Sequence, residues 1–141
     1  RCLEEAYLLY FNTRKDIKLN LIKPKDDIYF HFDTLQISRC FNNLIKNAIE
    51  AVEKIPNPAV EVLMSSDAKN IKIEIKDNGV GIDEKMLSKI FEPYFTTKTK
   101  GTGLGLSIVK RIIEDHGGKI KIEKNKNMAG TTSLINFEYN A

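Results

Sequence analysis

Two asparagines, Asn43 and Asn47, stand four positions apart in a segment that otherwise reads as an amphipathic helix. At about 100° per residue, Phe41, Leu44, Ile45, Ala48, Ala51, Val52 and Ile55 fall on one arc of that helix. Arg39, Asn43, Lys46, Asn47, Glu50 and Lys54 fall on the other. A solvated polar face accounts for Arg39 and Lys54. It accounts less well for the asparagines, because Asn is a mediocre helix former and Lys or Glu would solvate the face equally well. An amide carbonyl is a neutral, hard oxygen ligand, suited to a Mg²⁺ ion already surrounded by phosphate oxygens and water.

The next candidate is Asp77-Asn78-Gly79-Val80-Gly81, directly after an alternating apolar stretch from Ile71 to Ile75. A carboxylate at a strand end followed by two glycines builds a pocket corner. The glycines permit close backbone approach, and the carboxylate can accept from an amine such as the exocyclic N6 of adenine. Asp and Gly also build ordinary tight turns, so this motif alone leaves both readings open. The third candidate, Gly101-Thr102-Gly103-Leu104-Gly105-Leu106, opens a helix. A glycine-rich helix entrance offers unpaired N–H groups and the positive end of the helix dipole to an anion. It is not a Walker loop, since no Gly-Lys-Ser/Thr follows, and no strand runs directly into it as a dinucleotide fingerprint requires. Between the two lie Phe91-Glu92-Pro93-Tyr94-Phe95-Thr96-Thr97-Lys98 and Lys100. Aromatics around a proline, followed by hydroxyls and lysines, suit a lid whose hinge packs and whose cations reach phosphate. A packed turn explains the aromatics equally well and the lysines less well.

The elements that must position these residues follow from periodicity and capping. Residues 3–11 read as a short helix. Ile17, Leu19 and Leu21 alternate with polar residues, as do Ile28, Phe30 and Phe32, so the two segments are expected to pair as antiparallel strands. Asp33 is placed to cap the asparagine helix, with Gln36 at capping-box spacing, and the helix should end near Lys54 before Pro56. Strand signals return at Val60–Met64 and Ile71–Ile75, and Asp83 caps a short helix bearing Met86, Leu87, Ile90 and Phe91. A helix from Leu104 to His116 closes on Gly117, a left-handed cap, and strands Lys119–Lys124 and Thr132–Tyr139 follow. This mixture predicts one domain, an α/β sandwich with a mixed sheet and a single helical layer.

The chain has 141 residues, 42% hydrophobic and 29% charged, with 22 Lys and Arg against 19 acids and a net charge of +3. Those values exclude a disordered tail, and the mild charge does not point to nucleic acid. No apolar run approaches the roughly 20 residues of a membrane helix. Cys2 and Cys40 form neither a CxxC pair nor a metal-ligand cluster, so a reduced, cytoplasmic setting is expected. The first residue is Arg1 rather than Met, so the chain is expected to be part of something longer.

The order of the pieces adds specificity. Asn-x-x-x-Asn-Ala on a helix, then Asp-x-Gly-x-Gly, Phe-x-Pro-Tyr-Phe and Gly-x-Gly-x-Gly resembles the catalytic, ATP-binding domain of sensor histidine kinases. The family's N, G1, F and G2 boxes correspond to Asn43–Ala48, Asp77–Gly81, Phe91–Phe95 and Gly101–Gly105. The short lid and the Asn43–Ala51 segment look most like the nitrogen-regulation class typified by NtrB and NtrY. The resemblance implies a Bergerat ATP-binding fold of the α+β class, a two-layer sandwich whose mixed, mainly antiparallel sheet is covered by helices on one face. Residues 16–141 would form this domain, and residues 1–15 the end of a preceding helical hairpin or a connector.

It further implies ATP and Mg²⁺ as ligands. Asn47 would hold Mg²⁺ with Asn43 in support, and Asp77 would bind adenine N6, helped by Gly81 and by Thr131 of the Gly130-Thr131 pair. Gly79 and Ile82 would line the same corner. Gly101, Thr102, Gly103, Leu104, Gly105 and Leu106 would lie along the phosphates, and Phe91 and Phe95 would anchor the lid carrying Thr97 and Lys98. Asn43, Asn47 and Lys98 are the expected catalytic set, with Lys100 and Lys46 as other candidates for the γ-phosphate.

The resemblance places the acceptor histidine on a separate N-terminal dimerisation hairpin, in a full-length homodimer that hands phosphate to a response-regulator receiver domain. The 141 residues alone are expected to be monomeric. His31, in an alternating strand, and His116, where a C-terminal histidine favours the helix dipole, lack the acceptor context. Gyrase and MutL, which share the fold, carry a water-activating Glu where this chain has Asn43. That favours phosphoryl transfer over hydrolysis. A GHKL-type ATPase and a non-catalytic nucleotide-sensing module are the alternative readings.

Overall fold

The structure, a computed structural model, describes residues 2–14, 16–24, 33–92, 105–126 and 128–138. Helix α1 spans Cys2–Thr13, with Glu4 and Glu5 in its first turn where acids complement the dipole. Its buried residues Leu3, Ala6 and Tyr7 follow helical spacing and join the same continuous core as the rest of the domain. The Tyr7 hydroxyl donates to the Leu19 carbonyl at 3.0 Å, tying the helix to β1 (Lys18–Ile22). Helix α2 runs Thr34–Val52, capped by Asp33, whose carboxylate accepts from the Gln36 N–H at 3.1 Å. It buries Ile37, Cys40, Phe41, Leu44, Ile45, Ala48, Ile49 and Val52. Of the arc expected from the sequence, Ala51 and Ile55 are only half-buried, and Ile37, Cys40 and Ile49 are buried in addition.

Strands β2 (Ala59–Ser66) and β3 (Asn70–Asp77) form a hairpin whose turn is held by Asp67, which accepts from the N–H groups of Lys69 and Asn70. A short helix α3 (Glu84–Leu87), capped by Asp83, precedes α4 (Gly105–Asp115), and β4 (Gly118–Lys124) and β5 (Thr131–Glu138) complete the fold. Sheet order is β1-β2-β3-β5-β4, with β1 parallel to β2 and every other pair antiparallel. The parallel pair needs a crossover, and α2 supplies it. Val60, Val62, Ile71, Ile73, Ile75, Ile135 and Phe137 face the helices, while the alternate residues Lys72, Glu74, Lys76, Lys119 and Lys121 lie on the open face. This is the α+β sandwich with a mixed, mainly antiparallel sheet expected above.

The pairing partner expected for β1, Ile28–Phe32, lies outside the described residues, as does His31. What the structure shows for β1 is its parallel pairing with β2. Gly117 closes α4 with φ 77°, as the left-handed cap requires. His116 does more than sit at a negative helix end. Its Nδ1 lies 2.7 Å from the Ile112 carbonyl oxygen, and its Nε2 accepts from the Asp33 N–H at 3.0 Å. One imidazole therefore joins the end of α4 to the start of α2.

Candidate functional site

The site is built where β3 ends. Asp77 is only 6% exposed, yet no cation is paired with it among the described residues. Instead its Oδ1 accepts two backbone N–H groups, from Gly79 at 2.9 Å and from Thr131 at 3.3 Å. Burial pushes this carboxyl above its ordinary range, and the two donated hydrogen bonds partly oppose that. Because both donors go to Oδ1, Oδ2 has no hydrogen-bond donor among the described residues. A buried acceptor oriented in this way is matched to a ligand that brings its own N–H.

Three segments hold Asp77 in place. The turn after it lies directly on α2: a Cβ on Gly79 would stand 2.4 Å from the Ala51 carbonyl oxygen and 2.9 Å from the Ala51 Cβ. The Val80 N–H donates to that same oxygen at 3.3 Å. Only glycine allows this approach. Asn78 is turned to a structural task, with its Oδ1 accepting from the Ala59 N–H at 2.8 Å and its Nδ2 donating to the Asn57 carbonyl at 2.9 Å. From the other side, Gly130 has φ 107° and packs on the strand end, where a Cβ would meet the Asp77 carbonyl oxygen at 2.0 Å. That approach delivers the Thr131 N–H to Asp77.

One strip of α2 connects this corner to α4. Asn43, Asn47 and Ala51 follow each other at i, i+4 and i+8, so they lie along one face, each about 5–6 Å from the next. At one end of the strip Ala51 carries the Gly79 turn. At the other, the Asn43 Oδ1 lies 3.4 Å from where a Cβ of Gly105 would be, at the first residue of α4. Asn47 is half-buried one turn from each. Asn43 and Gly105, distant in sequence, are thus brought together, and the missing Gly105 side chain leaves room beside an amide oxygen. Among the described residues no cluster of three or more His, Cys, Asp or Glu could hold a metal ion. An asparagine carbonyl completed by phosphate oxygens and water needs none, so the residues present fit a Mg²⁺-nucleotide.

Of the other predicted site residues, Gly81 has φ 76° and, like Ile82, is half-buried beside the corner, and Leu106 is half-buried in the first turn of α4. Phe91 receives the Lys110 ammonium 5.4 Å from its ring centroid, a contact between the F box and α4 that the sequence reading missed. Phe95, Thr97, Lys98, Lys100, Gly101, Thr102, Gly103 and Leu104 lie outside the described residues. Lys46 is exposed. Shallow concavities around Lys72, Lys119 and Asn136 lie on the open face of the sheet and share no residue with the Asp77 corner. Asn125 was also missed: its Nδ2 donates to the Asp77 carbonyl at 2.7 Å. The only sequence signal for it is its position at the start of a polar turn.

The chain belongs to the histidine kinase-, DNA gyrase B-, and HSP90-like ATPase family, whose model matches residues 32–140. Within that family its likeness is to histidine kinases. It is 42% identical over 113 residues to sporulation kinase A of Bacillus subtilis (strain 168), covering 80% of this chain and 18% of that protein. It is 39% identical over 135 residues to the NtrY-like sensor histidine kinase of Rickettsia bellii (strain RML369-C), covering 96% of this chain and 21% of that protein. The nucleotide-free catalytic domain of histidine kinase ThkA superposes with a TM-score of 0.85 at 33% identity, over 97% of this chain and 90% of that one. The chain therefore has the histidine kinase catalytic domain in nearly its full extent, and spans about a fifth of the curated relatives it matches. Since sporulation kinase A is as similar as the NtrY-like protein, the likeness is not confined to the nitrogen-regulation class.

Proposed function

We propose that this domain binds Mg·ATP across the Asp77 corner and the asparagine strip, and passes the γ-phosphoryl group to a histidine outside these residues. The observation that carries the reading is Asp77: a buried carboxylate with Oδ1 held by two backbone N–H groups and Oδ2 left for an incoming donor. Adenine N6 supplies that donor. Gly79, Gly81, Ile82 and Thr131 enclose the base edge, with Thr131 placed by the same N–H that holds Asp77. The phosphates run toward the start of α4, where Gly105 and Leu106 begin the helix, with Gly101, Thr102, Gly103 and Leu104 preceding them in sequence.

Asn47 would hold Mg²⁺ through its amide oxygen, with Asn43, whose own amide oxygen lies beside Gly105, in support. Bound there, Mg²⁺ would supply neutralisation of phosphate charge. Lys98, Thr97 and Phe95 are assigned to the nucleotide by the family resemblance alone, as is Phe91, whose ring receives the Lys110 ammonium of α4. Catalysis is then positioning and charge neutralisation, the pattern of phosphoryl transfer. The side chain four residues before Asn47 is an amide, not a carboxylate, so no general base stands there to activate water. This supports transfer over hydrolysis.

The acceptor is a histidine on a preceding dimerisation hairpin, to which α1 connects. His116 is engaged on both ring nitrogens, which supports an acceptor elsewhere. The full-length protein is a homodimeric sensor kinase that phosphorylates a receiver domain, of the nitrogen-regulation class and with this domain in the cytoplasm. ThkA has been captured in complex with the response regulator TrrA, which supports a receiver as partner. No described helix is long and apolar enough to cross a membrane. The test is calorimetric titration of wild type and Asp77→Asn with Mg·ATP. Loss of one charge-assisted hydrogen bond weakens binding by about tenfold to a hundredfold. Unchanged affinity in Asp77→Asn would refute the adenine assignment.

A further inference from the structure

Asn125 stands where β4 gives way to the turn leading into β5, and every hydrogen-bonding group of its side chain is used. Its Nδ2 donates to the Asp77 carbonyl at 2.7 Å and to the Ala129 carbonyl at 3.1 Å, and its Oδ1 accepts from the Thr132 hydroxyl. Its backbone N–H donates to the Gly130 carbonyl at 3.1 Å. A single side chain therefore joins the end of β3, the closing turn and the start of β5. Those are the segments whose relative placement decides whether the Thr131 N–H reaches Asp77.

We propose that Asn125 is a positioning residue that sets the nucleobase selectivity of the site. The inference rests on the adenine assignment above. The argument runs through Asp77. Its main chain is gripped from behind at the carbonyl by Asn125, and its carboxylate from in front by the Gly79 and Thr131 N–H groups. The two grips together direct Oδ2 as an acceptor. A base with an amine at C6 donates to that oxygen, whereas a base with a carbonyl there meets it acceptor to acceptor. Discrimination of this kind depends on the acceptor being held, since a carboxylate able to swing away would tolerate the carbonyl. Removing the Asn125 amide leaves the Asp77 and Ala129 carbonyls without that donor and loosens the turn carrying Gly130 and Thr131. Asn125→Asp retains the shape but places a carboxylate oxygen against the two carbonyl oxygens that Nδ2 now meets.

The experiment measures the affinities of Mg·ATP and Mg·ITP, whose base carries a carbonyl at C6, for five proteins: wild type, Asn125→Ala, Asn125→Asp, Asp77→Asn and the double variant Asp77→Asn with Asn125→Ala. Wild type should prefer ATP. The two Asn125 variants should lose ATP affinity on the order of tenfold, with ITP affected much less, so the ATP/ITP ratio falls. A residue that merely stabilised the fold would weaken both nucleotides alike. In the Asp77→Asn background, Asn125→Ala should leave the ratio where Asp77→Asn alone puts it. If Asn125→Ala does not fold, Thr132→Val removes one arm of the network and should lower the ratio by a smaller amount. An unchanged ratio in the folded Asn125 variants, or in Thr132→Val, overturns the proposal. An unchanged ratio in Asp77→Asn overturns the adenine assignment itself, so the two failures are distinguishable.

Discussion

Replacing Gly79 with alanine tests whether the Asp77 corner depends on close approach or only on backbone conformation. The added Cβ would lie 2.4 Å from the Ala51 carbonyl oxygen, 2.7 Å from its carbonyl carbon and 2.9 Å from its Cβ. These atoms belong to α2, a helix packed along its length, so the turn must lift instead. Lifting it breaks the 3.3 Å hydrogen bond from the Val80 N–H to Ala51. Overpacking together with the lost bond destabilises by about 2 to 4 kcal/mol. At about 3 °C per kcal/mol for a chain of this size, the melting temperature should fall by roughly 6 to 12 °C. Gly81→Ala is the control: its φ of 76° strains an L residue, but among the described residues no non-neighbouring atom would lie closer than 3.9 Å to the new Cβ. Strain alone costs about 1 kcal/mol there. Thermal and urea unfolding of both variants decide the matter. If Gly79→Ala melts within about 3 °C of wild type, or if Gly81→Ala is the more destabilised, the close-approach argument is refuted. The Gly79 N–H also holds Asp77, so Gly79→Ala should weaken ATP binding even where it remains folded.

Asp77 itself should act against stability at neutral pH. Burial raises its carboxyl, so the folded state disfavours the charged form and stability falls as pH rises from the unfolded to the folded value. Without nucleotide, Asp77→Asn should therefore be at least as stable as wild type near neutrality. Urea unfolding should show the gap closing as pH falls below about 4, the ordinary Asp range. Asp33→Ala removes the α2 cap and should cost about 1 kcal/mol by urea unfolding with an unchanged denaturant slope. Arg14→Ala breaks contacts of 3.1 Å to both Asp16 and Glu53. It should cost less than about 1 kcal/mol, because the groups lie at the surface, and the loss should shrink in high salt.

Much of the scaffold was legible because its signals are local. The apolar arc of α2, the Asp33 cap, the strand alternation at Ile71–Ile75 and the Gly117 cap each depend on a few neighbouring residues. The candidate site's parts were legible as candidates for the same reason, as a carboxylate at a strand end and asparagines at helical spacing. The contacts among those parts were not. Ala51 reads as an ordinary helix residue until the Gly79 turn is seen to lie on it. His116 reads as a helix end and Asn125 carries no motif, yet each joins segments far apart in sequence.

Sequence by itself determined the candidates: Asn43, Asn47 and Asp77 offer oxygen acceptors of the types proposed here for a Mg²⁺-nucleotide, in an order that resembles histidine kinase catalytic domains. Tertiary structure alone decided that Asp77 is buried, that its Oδ1 is held while its Oδ2 has no donor among the described residues, and that Asn43 meets the start of α4. The physical reason is range. Capping and periodicity act over a few residues, whereas burial and the direction of an acceptor depend on β5 closing against β3, two strands whose paired residues lie more than fifty positions apart in the chain.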